Sequence, residues 1–412
     1  MFLSMMSPIW LRTRLGLLLA LSAAGTASAP APAANCEGTS TGLSPIDELG
    51  ADLYLGQFQG GLYPGGLNSM PASHFAAGRA RADAVRPLDA QGQPAENSKI
   101  VLLSIGMSNT TQEFCSAAGT LPCDPWTFMG QAAVHPAVDQ TALVIVNGAR
   151  GGQTASTWDD PADANYDRIR DLLLAQGLSE AQVQAVWVKV ANPQPTASLP
   201  DPAADAYALL ESMGAIARTL RVRYPNVRTL FLSSRIYAGY ASTALNPEPY
   251  AYESGFAVKW LIEAQIRQME SGIIDPLAGD LNYNTAAPWV SWGPYLWGDG
   301  LTARLNGLIW ECDDLQSDGT HPAQSGEEKV GTMLLDFFLN SSFTSTWFRT
   351  RTPALPGDTD LDGDVDLADL SALLSAFGSC VGGPRYDPSA DINNSGCVSL
   401  ADLSLLLGNF GG

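Results

Sequence analysis

The stretch KIVLLSIGMSNT, residues 99–110, joins a short run of branched apolar residues to a Gly-X-Ser turn. Residues 100–104 read as a strand that is apolar on both faces, the pattern of a strand inside a covered parallel sheet. Glycine then lets the chain turn sharply, which would present the Ser108 hydroxyl at the strand's carboxyl end. Open α/β sheets carry their chemistry at that edge. A Gly-X-Ser turn by itself is a weak signal, and the rest of the chain decides its meaning.

Working outward, further strand candidates lie at 142–146, 185–190 and 229–232, each a short run rich in Val, Ile or Leu. Amphipathic stretches at 166–176, 204–224, 251–271 and 325–339 alternate with them. Strands separated by helices predict a parallel sheet covered on both faces. Residues 36–98 are rich in Gly, Pro and Ala with weak periodicity, and read as a preamble packed on the main domain.

The chain has 3 histidines, His74, His135 and His321, so a histidine base must be one of these. His321 stands in Ser317-Asp318-Gly319-Thr320-His321-Pro322, ahead of the amphipathic stretch at 325–339. An Asp three residues before a His on a turn can fold back onto Nδ1 and fix the tautomer. The same spacing also suits an ordinary turn into a helix. Trp289, Trp292, Trp297 and Trp310 precede this block, and suit either core packing or a wall on which sugars stack. No H-E-x-x-H or Cys/His cluster suggests a catalytic metal, and no pair among the 42 acidic residues marks a glycosidase.

At the N-terminus, Arg12 and Arg14 precede an apolar run from Leu15 and then small residues up to Ala34, the pattern of an export signal over 1–34. No stretch is long and apolar enough to predict a membrane span. Six cysteines suit an oxidising compartment, and a secreted or surface-attached protein is expected. Cys115 with Cys123, Cys380 with Cys397, and Cys36 with Cys312 are pairings guessed from proximity among fifteen connectivities. A net charge of −20 argues against a nucleic-acid partner.

Residues 350–357 read as a linker, and 358–412 as a separate module containing an internal repeat. Residues 358–378 superimpose on 391–411 at a constant offset of 33, matching acidic and apolar positions alike. The first repeat places Asp358, Asp360, Asp362, Asp366 and Asp369 at positions 1, 3, 5, 9 and 12 of a twelve-residue loop, with Gly363 at the turn. The second offers Asp391, Asn393, Ser395, Ser399 and Asp402, with Gly396 at the turn. Asp364 and Cys397 stand at position 7, which contributes a main-chain carbonyl in EF-hand loops. Alternating oxygen ligands let one tight loop wrap a hard cation, and the second loop, with fewer carboxylates, should bind it more weakly.

The two loops, each followed by a helix, resemble the dockerin type I module. That resemblance implies two calcium ions, an all-α domain and a cohesin-like or cell-surface scaffold partner. Leu367-Ala368 and Leu400-Ala401 replace the common hydroxyl pair at loop positions 10 and 11, so the partner stays open.

The Gly-Met-Ser-Asn and Asp-Gly-Thr-His-Pro blocks resemble those of SGNH, or GDSL-like, hydrolases, including their carbohydrate-esterase branch; the resemblance spans roughly residues 98–340, within a hydrolase-like domain expected over 35–349. The resemblance implies a flavodoxin-like three-layer α/β sandwich. It also implies a serine esterase with Ser108 as nucleophile, His321 as general base and Asp318 as orienting carboxylate. Met107 replaces the Asp or Gln usual in the first block. Asn147-Gly148-Ala149-Arg150-Gly151-Gly152-Gln153-Thr154 resembles the family's glycine block. By that match the oxyanion hole comprises the main-chain N–H of Ser108 and Gly152 and the amide of Asn192. Ala191-Asn192-Pro193 lacks the family's glycine and aspartate around that asparagine, which keeps a non-catalytic carbohydrate- or surface-binding protein as the alternative. The expected substrate is a carboxylic ester, with O-acetyl groups on polysaccharide as one class.

Overall fold

The computed structural model describes residues 33–350, 355–360, 364–393 and 395–411. All but the last two positions of the expected export signal lie outside these residues, as do part of the linker, Asp362 and Gly363.

The preamble forms α1 (Ile46–Leu49), a hairpin of β1 (Leu53–Tyr54) and β2 (Phe58–Gln59), and α2 (Ala72–Ala82). Its elements are short, which explains the weak periodicity, yet Ile46, Tyr54, Tyr63 and Ala82 enter the main core. The chain then alternates through β3 (Ile100–Gly106), α3 (Ser108–Phe114), α4 (Phe128–Val134), β4 (Leu143–Asn147), α5 (Ala164–Ala175), β5 (Val183–Lys189) and α6 (Asp205–Arg223). It continues through β6 (Thr229–Leu232), α7 (Tyr250–Ser271), β7 (Trp289–Trp292), α8 (Gln324–Asn340) and α9 (Ser345–Phe348).

The five-stranded sheet has the order β4-β3-β5-β6-β7, with every pairing parallel. Counted within the sheet this is 2-1-3-4-5, the flavodoxin-like order, in which the chain reverses direction beside the first strand. Right-handed crossovers on the two sides of β3 place α3 and α4 on one face and α5 to α7 on the other. α8 packs with α3 and α4, and α6 packs with α7. Every residue of β3 and β5 is buried, including the polar Ser104, Gln184 and Lys189 among their mostly apolar residues.

The fifth strand, Trp-Val-Ser-Trp, was not expected from the sequence. Its bulky residues occupy the edge of the sheet: Trp289 contacts α2 at Gly78 and stacks on His74, while Trp292 donates from Nε1 to the Leu62 carbonyl. Trp297 and Trp310 are buried as well. All four tryptophans therefore belong to the core, and the sugar-stacking role is corrected: an indole closed in by protein presents no face to a sugar.

One ion pair lies inside this apolar frame. Lys189, at the end of β5, donates to both Glu113 oxygens at 2.5 Å, and neither side chain is exposed. Burial pulls the Lys189 ammonium down to about 8 and pushes the Glu113 carboxyl up, against their mutual attraction. Removing one partner strands the other charge, at a cost of about 3–5 kcal/mol, whereas replacing both by apolar residues is often near neutral. Urea unfolding should therefore show a large loss for Lys189→Met that the double variant Lys189→Met/Glu113→Leu largely recovers. Equal losses in the two proteins would mean that the charges are not coupled.

The C-terminal residues hold α10 (Leu367–Ala376) and α11 (Leu400–Gly408) around their own core of Val365, Leu373, Ala376, Ala390, Val398 and Leu406. The repeat appears in the packing. The Gly378 N–H donates to the Val398 carbonyl, and its repeat mate Gly411 donates to Val365, so each repeat closes the other. Asp366 and Ser399 cap the two helices, answered by Asp369 and Asp402 in matching capping boxes. The disulfides are Cys36–Cys312, Cys115–Cys123 and Cys380–Cys397, the pairings expected from proximity.

Candidate active site

Ser108 is the first residue of α3, directly beyond the carboxyl end of β3. Gly106 makes this turn feasible, because a Cβ there would collide with the Lys189 carbonyl and the Thr110 side chain. Thr110 Oγ1 donates to that same carbonyl at 2.6 Å, clamping the turn against the end of β5. As the opening residue of a helix, Ser108 keeps a main-chain N–H with no intrahelical acceptor.

Asp318 and His321 occupy a tight turn before α8, closed by a bond from the Gln316 N–H to the His321 carbonyl at 2.8 Å. Gly319 sits within it at φ 62°, where any Cβ would strike the Tyr240 carbonyl. The turn folds Asp318 back onto the histidine. Its Oδ1 accepts from the main-chain N–H groups of Thr320 and His321 at 3.0 Å each, and its Oδ2 lies 2.6 Å from His321 Nδ1. An ionised carboxylate only accepts, so Nδ1 carries the proton and Nε2 is left as an acceptor. Ser108 Oγ lies 2.8 Å from Nε2 and donates to it. Burial alone would raise the Asp318 carboxyl, but the bonds from His321 and Thr320 outweigh it and hold the group below its ordinary 3.8. Asn109 Nδ2 donates to the Thr320 carbonyl at 3.0 Å, tying the helix of Ser108 to the turn of His321.

The other two histidines are elsewhere. His74 is buried against Trp289 with Nε2 on the Val290 carbonyl, and burial lowers it to about 4. His135 follows α4, its Nδ1 facing the Ala137 N–H.

Gly152 and Asn192 line one cavity of about 350 Å³ with Ser108 and His321. The glycine loop is pinned by the Arg150 N–H on the Gly106 carbonyl, and the next turn by the Ala155 N–H on the Ala191 carbonyl. No described residue accepts from the Gly152 N–H. Asn192 Nδ2 donates to Asp205 Oδ1 at 3.0 Å, leaving the second N–H of that amide unused by this bond. Asp205, raised by burial and partly offset by Asn192 and Asn246, thus orients Asn192 in place of the aspartate absent beside it. The residues singled out from four separated blocks meet in one place.

Sequence reading missed the cavity's remaining wall, Arg235, Leu245 and Asn246, contributed by the chain between β6 and α7. The only signal was the polar run Ser233-Ser234-Arg235 at the end of the fourth strand. Arg235 is buried; its Nη1 approaches Met107 Sδ at 3.9 Å, while Nε and Nη2 have no hydrogen-bond partner among the described residues. Burial lowers this guanidinium from its usual range, opposed by the more distant Glu113, Glu248 and Asp318.

In the C-terminal loops, Asp358, Asp360 and Asp369 form one group of carboxylates and Asp364, Asp366 and Asp369 another, with ligand oxygens within 4.8 Å of one another in each. The first loop therefore suits a hard cation in donor type and spacing. No group of three acids forms in the second loop among the described residues; Asp391 there accepts from the Ser395 and Gly396 N–H groups, and Asp402 from Asn393 and Ser399.

No protein-family profile and no curated protein matches the chain. Among solved structures, a carbohydrate esterase family 2 enzyme with a carbohydrate binding domain from Corynascus thermopiles (Myceliophthora fergusii) is 14% identical, with a TM-score of 0.30. That match covers 59% of this chain and 66% of the other, just under two thirds. A carbohydrate acetylesterase from Sinorhizobium meliloti is 15% identical over 58% of this chain and 97% of its own, TM-score 0.30. A mutant acetyl-xylooligosaccharide esterase from Geobacillus Stearmophilus is 17% identical over 62% and 100%, TM-score 0.30. Similarities this low carry no functional argument, and the reading of the site rests on its own geometry.

Proposed function

We propose that this chain is a secreted serine esterase, hydrolysing carboxylic esters through an acyl-enzyme, with O-acetyl groups of polysaccharides as its substrate class. The observation that carries the reading is the continuous relay from Ser108 Oγ through the His321 ring to Asp318, with bonds of 2.8 and 2.6 Å, at the carboxyl edge of the sheet. In this scheme Ser108 attacks the ester carbonyl as His321 Nε2 takes its proton, and the Ser108 and Gly152 N–H groups with the Asn192 amide hold the oxyanion. His321 then protonates the departing alcohol, and water attacks the acyl-enzyme with the histidine again as base. Asp318 stabilises the imidazolium without taking its proton. A fluorophosphonate probe tests this: labelling should fall on Ser108 of the native protein and vanish on denaturation. Labelling that ignores Ser108→Ala would remove the serine-hydrolase reading.

Residues 358–412 are proposed to bind calcium and to anchor the chain to a cohesin-like or cell-surface scaffold protein. Asp358, Asp360, Asp364, Asp366 and Asp369 would hold the first ion, and Asp391, Asn393, Ser395, Ser399 and Asp402 the second; the sequence places Asp362 in the first set and the Cys397 main chain in the second. Calcium would supply charge balance for these carboxylates and cross-link each loop to its helix. Leu367 and its repeat mate Leu400, each 72% exposed, suit an apolar contact on such a partner. Adding EGTA to the full chain should increase proteolysis within 358–412 while p-nitrophenyl acetate hydrolysis stays within about twofold. Collapse of both together would contradict independent roles for the two regions.

A further inference from the structure

A second cavity, of about 320 Å³, opens at the opposite edge of the sheet from Ser108. Ser108 follows the carboxyl end of β3, whereas this cavity lies where the parallel strands β6 and β7 begin. Arg228 directly precedes β6, and Tyr283 and Asn284 stand in the chain leading to β7. Arg221 comes from the last turn of α6 and Arg81 from the end of α2. The charged lining is thus three arginines from three segments, with no acid among the described residues of the wall. In a chain of net charge −20 that concentration of cations is unexpected.

These arginines are not neutralised. None of Arg81, Arg221 and Arg228, nor the neighbouring Arg86, forms an ion pair among the described residues. Arg81 is held by uncharged groups: Nη1 donates to the Ala77 carbonyl at 3.2 Å, Nη2 to Asn284 Oδ1 at 2.7 Å, and the guanidinium lies 3.9 Å from the Tyr283 ring centroid. Arg221 Nη1 donates to the Pro225 carbonyl at 2.9 Å, which leaves Nη2 unused. Arg228 Nε is enclosed without a partner, while its two Nη groups keep accessible surface and meet no acceptor among the described residues. Burial, and then the like charges of Arg86 and Arg221, lower the Arg228 guanidinium from its usual range. Burial also lowers Arg81, with Tyr283 opposing and the like charges of Arg228 and Arg221 adding to it. Main-chain carbonyls at helix ends attract cations, which accounts in part for Arg81 and Arg221, but Arg228 belongs to no helix. Half-buried like charges with an unpaired donor are unfavourable until an anion completes them.

We propose that this cavity is a second ligand site, which takes a tetrahedral oxyanion, a phosphate or sulfate group, as the free ion or as the ester of a sugar. Cations from three separate segments suit a group whose oxygens point in several directions; the two coplanar oxygens of a carboxylate are matched by one arginine fork. Arg228 is the direct donor through its free Nη groups, Arg221 adds its unused Nη2, and Arg81, fixed by Asn284 and Tyr283, supplies standing charge. The volume falls in the range of small-molecule sites and exceeds what a single such ion fills. The site makes no use of Ser108, and it stands whether or not the chain hydrolyses esters.

The test is calorimetric titration of the full chain with inorganic sulfate, glucose 6-sulfate and glucose 6-phosphate, at fixed calcium and ionic strength, with glucose and chloride as references. The oxyanions should give saturable binding and the references none. Arg228→Gln should weaken that binding by about ten- to a hundredfold, the range of a charge-assisted bond, and Arg228→Lys should keep part of it, since a point charge lacks the fork. Ser108→Ala should bind as the wild type does, because its cavity lies at the other edge of the sheet. Sulfate that binds as tightly as glucose 6-sulfate identifies the free ion as the ligand, and tighter binding of the sugar ester identifies a sugar-borne group. No saturable binding of any oxyanion, or binding that Arg228→Gln leaves unchanged, would overturn the proposal. Binding lost in Ser108→Ala would place the ligand in the other cavity and overturn it equally. Should Arg228→Gln fail to fold, Arg221→Gln, at a half-buried helix end, carries the same comparison.

Discussion

Replacing Ser108 by alanine is expected to lower kcat on p-nitrophenyl acetate by on the order of 10⁴–10⁶-fold, leaving only what the rest of the site contributes. Ser108 is half-buried and its hydroxyl bonds one neighbour, His321, so the same change should move Tm little. The pairing of a large kinetic loss with a small thermal one is what distinguishes a nucleophile from a structural hydroxyl. Wild-type and variant rates that are equal and near background would instead favour a binding protein that retains this fold without turnover.

Asp318→Asn is expected to cost about 10⁴-fold in kcat, for a different reason. The carboxylate accepts from Nδ1 and thereby keeps Nε2 free to take the Ser108 proton; an amide can present its N–H₂ to Nδ1 and favour the other tautomer. The acid limb of wild-type activity should not follow protonation of Asp318, whose carboxyl is held below 3.8 by its hydrogen bonds. The linked stability has a definite sign. A carboxyl depressed in the folded state contributes stability above its unfolded value near 3.8, and loses it as pH falls through the lower folded value. The wild type should therefore exceed Asp318→Asn in stability at pH 6, with the gap narrowing below about pH 4. A gap that widens on acidification would mean that this carboxylate is not stabilised by its turn.

Much of this was legible in the chain itself. Largely apolar runs at 100–104 and 185–190, interrupted only by Ser104 and Lys189, announce strands buried on both faces, since such a run has little polar side to offer water. Gly106 before Ser108, and Gly319 between Asp318 and His321, mark turns that side chains would block, and in the fold a Cβ at either position would collide with a main-chain carbonyl. The repeat at an offset of 33 foretold two matching helices and their shared core.

What stayed hidden depends on contacts between segments far apart in sequence. Trp289–Trp292 gave no strand signal because two bulky indoles at a sheet edge look the same whether they pack inward or line a cleft; only the neighbouring helix and loop decide. Asn192 lacks its expected aspartate, yet Asp205, thirteen residues on at the start of α6, takes the orienting position. Arg235 was one base among 22 until the tertiary structure buried it beside Ser108 and gave each nearby carboxylate another partner. Sequence alone determined the strand–turn–helix frame and the reactive residue types, because local sterics and hydrophobic periodicity act over a few residues. Only the tertiary structure decided which charges are paired and which face the cavity, because desolvation and hydrogen-bond satisfaction depend on every segment that closes around a group.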